Sequence, residues 1–195
     1  MNKPLPSAAA QLSLGFGDDI PTERLFFAVM PDPSTAARIV ELATALCDEH
    51  GLTGKLLQRD RLHVTLHHLG DYAGVPPGLL ARAQQAAARL RLPAFEVCFD
   101  QVGSFAGNRQ HPFVLRGESG VERLHALQQE LGRCLQGIGN KPGHAFTPHV
   151  TLLYDRRRLP LQPVQPLRWH VGEFVLMRSF LGQTRYQLEG RWPLG

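Results

Sequence analysis

Apolar and polar residues alternate along this chain in a way that predicts a mixture of strands and helices. Residues 25–29 form a continuous apolar run of strand length, which is typical of a strand buried on both faces of a sheet. Asp32 and Pro33 follow, a capping side chain and then a proline at the first helical position, and apolar residues at helical spacing continue to Gly51. The folded part of the chain is therefore predicted to begin with a strand and then a helix.

The rest of the pattern predicts six more strands and two more helices. Apolar or alternating runs bounded by turn residues predict strands at residues 62–69, 95–100, 113–115, 148–154, 171–180 and 185–192. Helical spacing predicts helices at residues 77–90 and 119–139, and Ser119 and Glu122 form a capping-box pattern at the start of the second. The basic, proline-rich segment between residues 154 and 171 is predicted to be a loop.

Two parts of the chain repeat the same order of elements. In each, a buried strand precedes a helix, and the tetrapeptide His-Val-Thr-Leu comes next, beginning at His63 and again at His149. His63 follows the capping residue Asp32 by 31 residues, and His149 follows Ser119 by 30. The matched order indicates an internal duplication, which predicts two lobes related by a pseudo-twofold axis.

The repeated tetrapeptide places a histidine and a threonine on one face of each strand. Side chains alternate along a strand, so His63 and Thr65 point one way, as do His149 and Thr151. Two such faces meeting across a groove suit the cleavage of a phosphodiester: one neutral imidazole takes a proton, the other gives one, and the hydroxyls bind phosphate oxygens. This chemistry predicts a bell-shaped pH dependence centred near 6.5, the ordinary histidine pKa.

Composition narrows the classes to which the protein can belong. The 195 residues, 43% of them hydrophobic, can bury a sizeable core, and the net charge of +4 is compatible with an anionic ligand. We expect a disordered tail at residues 1–20 and one domain at residues 21–195. No apolar run reaches the length of a membrane span, and the N-terminal segment lacks the apolar block of a secretory signal, so we expect a cytoplasmic protein.

A metal site is the alternative interpretation of the histidines around the first motif. His67 and His68 follow closely on His63, and the three imidazoles could act as ligands. No Asp or Glu stands at a ligand spacing, and no cysteine lies nearby. We therefore expect neither a metal nor another cofactor.

At the level of whole motifs, the chain resembles the 2H phosphoesterase superfamily. Within it, the resemblance is to the bacterial RNA 2′,3′-cyclic phosphodiesterase group, first described as 2′-5′ RNA ligase, and it covers roughly residues 23–194. The segments that carry it are residues 24–28, 62–70, 146–153 and 186–194. The resemblance implies an α+β, bilobal fold, with two pseudo-twofold-related lobes of mainly antiparallel sheet, helices on the outer faces and a central groove.

The resemblance also implies an activity and roles for four residues. The activity is metal-independent hydrolysis of a terminal 2′,3′-cyclic phosphate of RNA, or of a nucleotide, to a 2′-phosphate. His63 would protonate the departing 3′ oxygen, His149 would activate water, and Thr65 and Thr151 would bind the phosphate. Two alternatives stay open: 2′-5′ RNA ligation and a non-catalytic module that binds RNA ends. We expect no membrane association and see no sign of an obligatory protein partner.

Two positions depart from the family pattern. His68 stands where an aromatic residue is usual, and it would stack on a base. Tyr154 stands where relatives tend to carry an arginine, and its offset from His149 predicts a side chain that points away from the histidine face, unless the strand ends or bulges near residue 153. The phosphate charge would then come from Arg156 or Arg157 in the following loop.

Overall fold

Among the residues that the computed structural model describes, eight strands form a single sheet, and three α-helices accompany them. The structure describes residues 20–139 and 145–195, so the tail predicted at residues 1–20 lies outside the described residues except for its last position. The strands are β1 Glu23–Val29, β2 Val64–Tyr72, β3 Phe95–Ser104, β4 His111–Arg116, β5 His149–Asp155, β6 Gln162–Val171, β7 Glu173–Phe180 and β8 Arg185–Pro193. The helices are α1 Pro33–His50, α2 Pro77–Ala87 and α3 Glu122–Cys134.

The order of strands across the sheet shows the predicted pseudo-twofold symmetry. The order is β6-β3-β4-β5-β2-β1-β7-β8, and the neighbours for which pairing is described are antiparallel. Strands β1 and β2 of one half correspond to β4 and β5 of the other, and each corresponding pair is separated in sequence by a helix. The expected α+β architecture of two related lobes is confirmed, with the qualification that β2 and β5 join the lobes into one continuous sheet.

The helices and the main core lie on one face of this sheet. Alternate residues of β1, beginning with Leu25 and Phe27, are fully buried in that core together with Ile39 of α1 and Leu127 of α3. The other face of β1 carries Phe26 and a smaller apolar cluster. Burial on both faces explains why β1 reads as a continuous apolar run. Because the described helices pack on the first face, the second face of the sheet is available for a groove.

The start of α1 follows the predicted capping pattern. The Asp32 carboxylate accepts hydrogen bonds from the backbone N–H groups of Ser34 and Thr35 at 2.9 and 3.0 Å, and Pro33 occupies the first turn. Gly51 ends the helix in the left-handed conformation, with φ of 62°, which glycine adopts at little cost. No helix among the described residues is long and apolar enough to cross a membrane.

Three sequence predictions about secondary structure are wrong. The segment predicted as a proline-rich loop contains β6, whose prolines are tolerated because β6 is an edge strand with one unpaired side. Helix α3 does not begin with a capping box at Ser119: Val121 occupies the cap, with no side-chain hydrogen bond, and Glu122 instead accepts from the Gly120 N–H at 3.2 Å. The helix also ends at Cys134, short of the predicted end.

Candidate active site

The two repeated tetrapeptides meet where the halves of the sheet join. Strands β2 and β5 pair at one position, Val64 with Val150, and both valines are fully buried. One step along antiparallel strands sets His63 beside Thr151 and Thr65 beside His149, on the face opposite the two valines. Side chains directly opposite each other in such a pair have Cβ atoms about 5 Å apart. The junction therefore gathers two histidines and two threonines around the pseudo-twofold axis.

Both histidines are held in the same orientation by the same kind of hydrogen bond. The Nδ1 atom of His63 lies 2.7 Å from the Arg61 carbonyl oxygen, and Nδ1 of His149 lies 2.7 Å from the Thr147 carbonyl oxygen. A carbonyl only accepts, so in each ring Nδ1 carries the proton and donates it. In the neutral state this leaves both Nε2 atoms as free proton acceptors. The two rings are thus prepared for proton transfer through Nε2.

Aromatic side chains shield both imidazoles from water. The Phe26 ring lies 4.9 Å from that of His63, centroid to centroid, and the Tyr186 ring meets His63 edge-on at 5.8 Å. Phe105 contacts His149 edge-on at 4.9 Å. Burial in this wall lowers the pKa of His63 to about 4, and the Arg61 guanidinium and a protonated His149 ring would each act in the same direction.

Burial also lowers the pKa of His149, and Arg116 adds to the effect. Arg116 pairs directly with His149 across β4 and β5, so its positive charge disfavours an imidazolium at that position. Both histidines are consequently neutral in the free groove at pH 7. A histidine that acts as the general acid must therefore gain a proton when the anionic ligand binds.

All four motif side chains line one groove of about 680 Å³. The groove is large enough for a nucleotide. Lys55 and Arg61 supply positive charge along its wall, and the Arg61 guanidinium lies over the Tyr186 ring, 4.8 Å from the centroid. Sequence reasoning missed all three of these residues. Lys55 and Arg61 lie in the polar stretch just before the first motif, which offered no periodic signal.

A β-bulge at the same place in each motif brings two further side chains into the groove. In β2 the register against β1 shifts so that Leu66 and His67 are both buried and His68 faces outward. In β5 the register against β4 shifts in the same way, so that Leu152 is followed by the buried Leu153 and the exposed Tyr154. His68 and Tyr154 both line the groove, three residues after the threonine of their motif.

The position of Tyr154 is therefore a correction to strict strand alternation. Strand alternation from His149 predicts that the Tyr154 side chain points away from the groove. The bulge at Leu152 turns it toward the groove instead, which is the case that the sequence analysis set apart for a bulge near residue 153. The bulged Leu152 carbonyl accepts a hydrogen bond from the Leu57 N–H at 2.8 Å, which draws the segment that contains Lys55 over the groove. The sequence signal that could have revealed Tyr154 is its offset from His149, which equals the offset of His68 from His63.

His68 is held by a charged pair at the edge of the groove. Its Nε2 atom lies 2.8 Å from Asp71 Oδ1, and Arg24 binds both oxygens of the same carboxylate at 2.8 Å. The hydrogen bond from Arg24 is the main cause that lowers the pKa of Asp71 to about 2. The ring of His68 is thus held in place while its side chain stays 43% exposed, which suits the predicted stacking role.

The structure does not bring Arg156 and Arg157 to the groove. The Arg157 guanidinium donates a hydrogen bond to the His50 carbonyl at the end of α1, and its backbone N–H donates to Asp155 Oδ1 at 2.7 Å. Arg156 is exposed and is not among the residues that line the groove. The expected phosphate contacts from these two arginines are therefore corrected: the end of α1 and the Asp155 carboxylate hold Arg157 outside the groove, and Arg156 does not line it.

The alternative metal site does not form around the first motif. His67 points into the buried side of β2, only 6% exposed, while His63 faces the groove and His68 is engaged by Asp71. Within residues 20–139 and 145–195, no three His, Cys, Asp or Glu side chains are grouped so as to hold a metal ion. His63 and His68 therefore line the groove, whereas His67 lies on the opposite, buried face of β2.

Comparisons with known proteins give a consistent result. The model of the 2′-5′ RNA ligase superfamily matches residues 31–181. Escherichia coli LigT, solved in complex with 3′-AMP, is 28% identical, with a TM-score of 0.73 over 89% of this chain and 98% of LigT. TT0787 of Thermus thermophilus is 25% identical, with a TM-score of 0.70 over 87% of this chain and 97% of its own. No curated protein sequence matches.

A more distant structure shares the fold. Kluyveromyces marxianus Usb1 is 12% identical, with a TM-score of 0.51 over 87% of this chain and 98% of its own. At this identity the likeness concerns the architecture alone. The two-lobed arrangement is therefore found in both bacterial and yeast proteins.

Proposed function

Because this chain belongs to the 2′-5′ RNA ligase superfamily of 2H phosphoesterases, we propose that it hydrolyses the 2′,3′-cyclic phosphate at the end of an RNA or nucleotide to a 2′-phosphate. One observation carries the proposal. His63 and His149 both donate Nδ1–H to the backbone and both present Nε2 to one groove, across which each faces a threonine. Phosphodiester cleavage needs such a pair of proton-transfer groups on opposite sides of the phosphorus.

The proposed reaction is a single displacement at phosphorus. Nε2 of His149 takes a proton from water as the water oxygen forms a bond to phosphorus. The bond from phosphorus to the 3′ oxygen breaks, and the protonated Nε2 of His63 gives its proton to that oxygen. The product carries a free 3′-hydroxyl and a 2′-phosphate. His149 then holds the extra proton and His63 lacks one, and exchange with solvent restores the starting state.

Charge on the cyclic phosphate is balanced by groups on both sides of the groove. Thr65 and Thr151 can donate hydrogen bonds to the two non-bridging oxygens, one from each lobe. Lys55 and Arg61 line the same groove and supply the positive charge that the sequence analysis assigned to the loop after β5. These preorganised donors stabilise the negative charge that develops in the transition state.

The outer part of the groove is suited to a nucleoside. Aromatic surfaces of Tyr154 and Tyr186, and the ring of His68, line it, and bases stack on such side chains. Complexes of LigT with 3′-AMP and with ATP support a nucleotide-sized ligand for a groove of this architecture. We propose that the partner is an RNA or nucleotide with a 2′,3′-cyclic phosphate end.

The activity is tested with a 2′,3′-cyclic nucleotide and a cyclic-phosphate-ended oligonucleotide in a metal-free buffer that contains a chelator. Chromatography that separates 2′- from 3′-phosphates should show the 2′-phosphate. Adding an oligonucleotide with a 5′-hydroxyl tests ligation, in which that hydroxyl replaces water. Joined product without hydrolysis would show a ligase. Tight binding of the cyclic end without any turnover would show a non-catalytic module.

A further inference from the structure

A second pocket lies beside His149 on the open face of the sheet, outside the groove that holds the motif side chains. Its volume is about 450 Å³. Its floor is formed by β3 and β4, including Gly103, and its rim by the loop that ends at Leu161. A Cβ atom at Gly103 would lie 3.0 Å from the Leu161 Cα, so the glycine lets this loop pack closely on β3. The pocket is thus a built feature of the second lobe.

The polar groups of the second pocket suit an anion. Among the residues that the structure describes, Arg116 and Arg158 are the charged ones that line the pocket, and none of its described lining residues is a carboxylate. Among residues 20–139 and 145–195, neither guanidinium has a hydrogen bond or an ion pair, and the Nε atom of Arg116 is buried without a partner. The Ser104 hydroxyl accepts from the Leu159 N–H at 3.1 Å and keeps its own proton to donate.

The second pocket is connected to the reaction centre through two residues. Arg116 pairs with His149 across β4 and β5, so the two side chains lie on the same face of the sheet. Phe105 lines the pocket and contacts the His149 ring at 4.9 Å. A nucleotide chain that leaves the groove past His149 therefore passes Phe105 and enters the pocket that Arg116 and Arg158 line.

We propose that the second pocket binds the phosphate on the 5′ side of the terminal nucleoside, so that the protein recognises a nucleotide chain through two phosphates. The proposal rests on the proposed function, because it takes the terminal phosphate to lie between His63 and His149. A guanidinium without an ion-pair partner and a hydroxyl, in a pocket whose described lining has no carboxylate, are groups that bind phosphate oxygens. The neighbouring aromatic groove holds the nucleoside that joins the two phosphates.

The test is the gain in affinity that a 5′-phosphate gives. Calorimetry would compare adenosine 2′-monophosphate with adenosine 2′,5′-bisphosphate, which differ by that group alone. One charge-assisted contact should lower the Kd of the wild-type protein for the bisphosphate about tenfold relative to the monophosphate. In Arg158→Gln the gain should fall to about twofold or less. Arg123→Gln is the matched control, because Arg123 is an exposed arginine on α3, on the other face of the sheet, and the gain should persist there.

The outcomes separate the second pocket from the proposed function. Equal affinity of the wild-type protein for the two ligands overturns the proposal. The proposal is also overturned if Arg158→Gln and Arg123→Gln reduce the affinity gained from the 5′-phosphate equally, since net charge alone would then be responsible. An Arg158-dependent gain in a protein that hydrolyses no cyclic phosphate would support the pocket and refute the proposed reaction. Because the measurement of binding needs no turnover, failure of the second pocket and failure of the proposed reaction can be distinguished.

Discussion

Binding of an anion in the groove is expected to protonate His63. In the free protein, burial against Phe26 and Tyr186 keeps the pKa of His63 at about 4, so the ring is neutral at pH 7. The lowering from 6.5 corresponds to about 3 kcal/mol. An anion about 4 Å away stabilises the imidazolium by about 4 kcal/mol at an effective dielectric constant of about 20. The bound phosphate therefore offsets the cost of burial and creates the charged acid where it is needed.

The assay is a titration of the His63 ring by nuclear magnetic resonance, with the signal assigned through His63→Gln. Sulfate serves as the anion because it does not titrate between about pH 3 and about pH 8. The pKa of His63 should rise in sulfate and stay low in chloride of equal ionic strength. A pKa near 6.5 in the free protein, or identical titrations in the two salts, would refute the reasoning.

The same linkage changes the expected pH dependence of the reaction. The profile of kcat/KM reports the pKa values of the free enzyme, whereas that of kcat reports those of the complex. Because burial lowers the pKa of both His63 and His149, the kcat/KM optimum should lie on the acid side of 6.5. The kcat optimum should lie at higher pH. This replaces the expectation of a profile centred near 6.5.

Three further predictions concern the pH dependence of stability, the hydrogen bonds that Asp155 accepts, and Tyr154. Between pH 6.5 and 4 the His63 ring binds a proton in the unfolded chain but not in the folded protein. The free energy of unfolding should therefore fall by about 2 kcal/mol from pH 7 to pH 5. Urea denaturation at the two pH values should show a smaller fall in His63→Gln. Asp155 accepts from the N–H groups of Thr53, Gly54 and Arg157, so Asp155→Asn should cost about 1–3 kcal/mol in the same assay, whereas the exposed Asp48→Asn should cost little. Tyr154→Ala should raise the Kd for a nucleotide about tenfold through lost stacking, and Tyr154→Phe should leave it nearly unchanged in calorimetry.

Most of the fold can be predicted from the sequence because its elements carry local signals. The apolar run of β1, the Asp32 cap and the repeated order of strand, helix and motif each depend on neighbouring residues only. Strand β6 could not be predicted in this way. Its prolines argue against a strand, and only its place at the edge of the sheet, which is set by long-range pairing with β3, makes them acceptable.

In the candidate site, too, local sequence patterns predict some residues, whereas long-range contacts determine the position of others. Strand alternation is enough to place His63 and Thr65 together, and likewise the second pair. Alternation fails for Tyr154, because a bulge depends on the register against β4 and a single sequence does not specify that register. The cations show a related limit: Arg157 is adjacent to the motif in sequence but is drawn to the end of α1, whereas Lys55 is distant from the second motif and lies in the groove.

The central claim is that two histidines act as acid and base on a cyclic phosphate, and it is tested most directly by steady-state hydrolysis of a 2′,3′-cyclic nucleotide in chelator. The wild-type protein should release the 2′-phosphate. His63→Ala and His149→Ala should each lower kcat by about 10²–10⁴-fold while their circular dichroism spectra and melting curves show a folded protein. A rate close to that of the wild type in either variant, or activity that chelator abolishes and a divalent ion restores, would contradict the two-histidine mechanism.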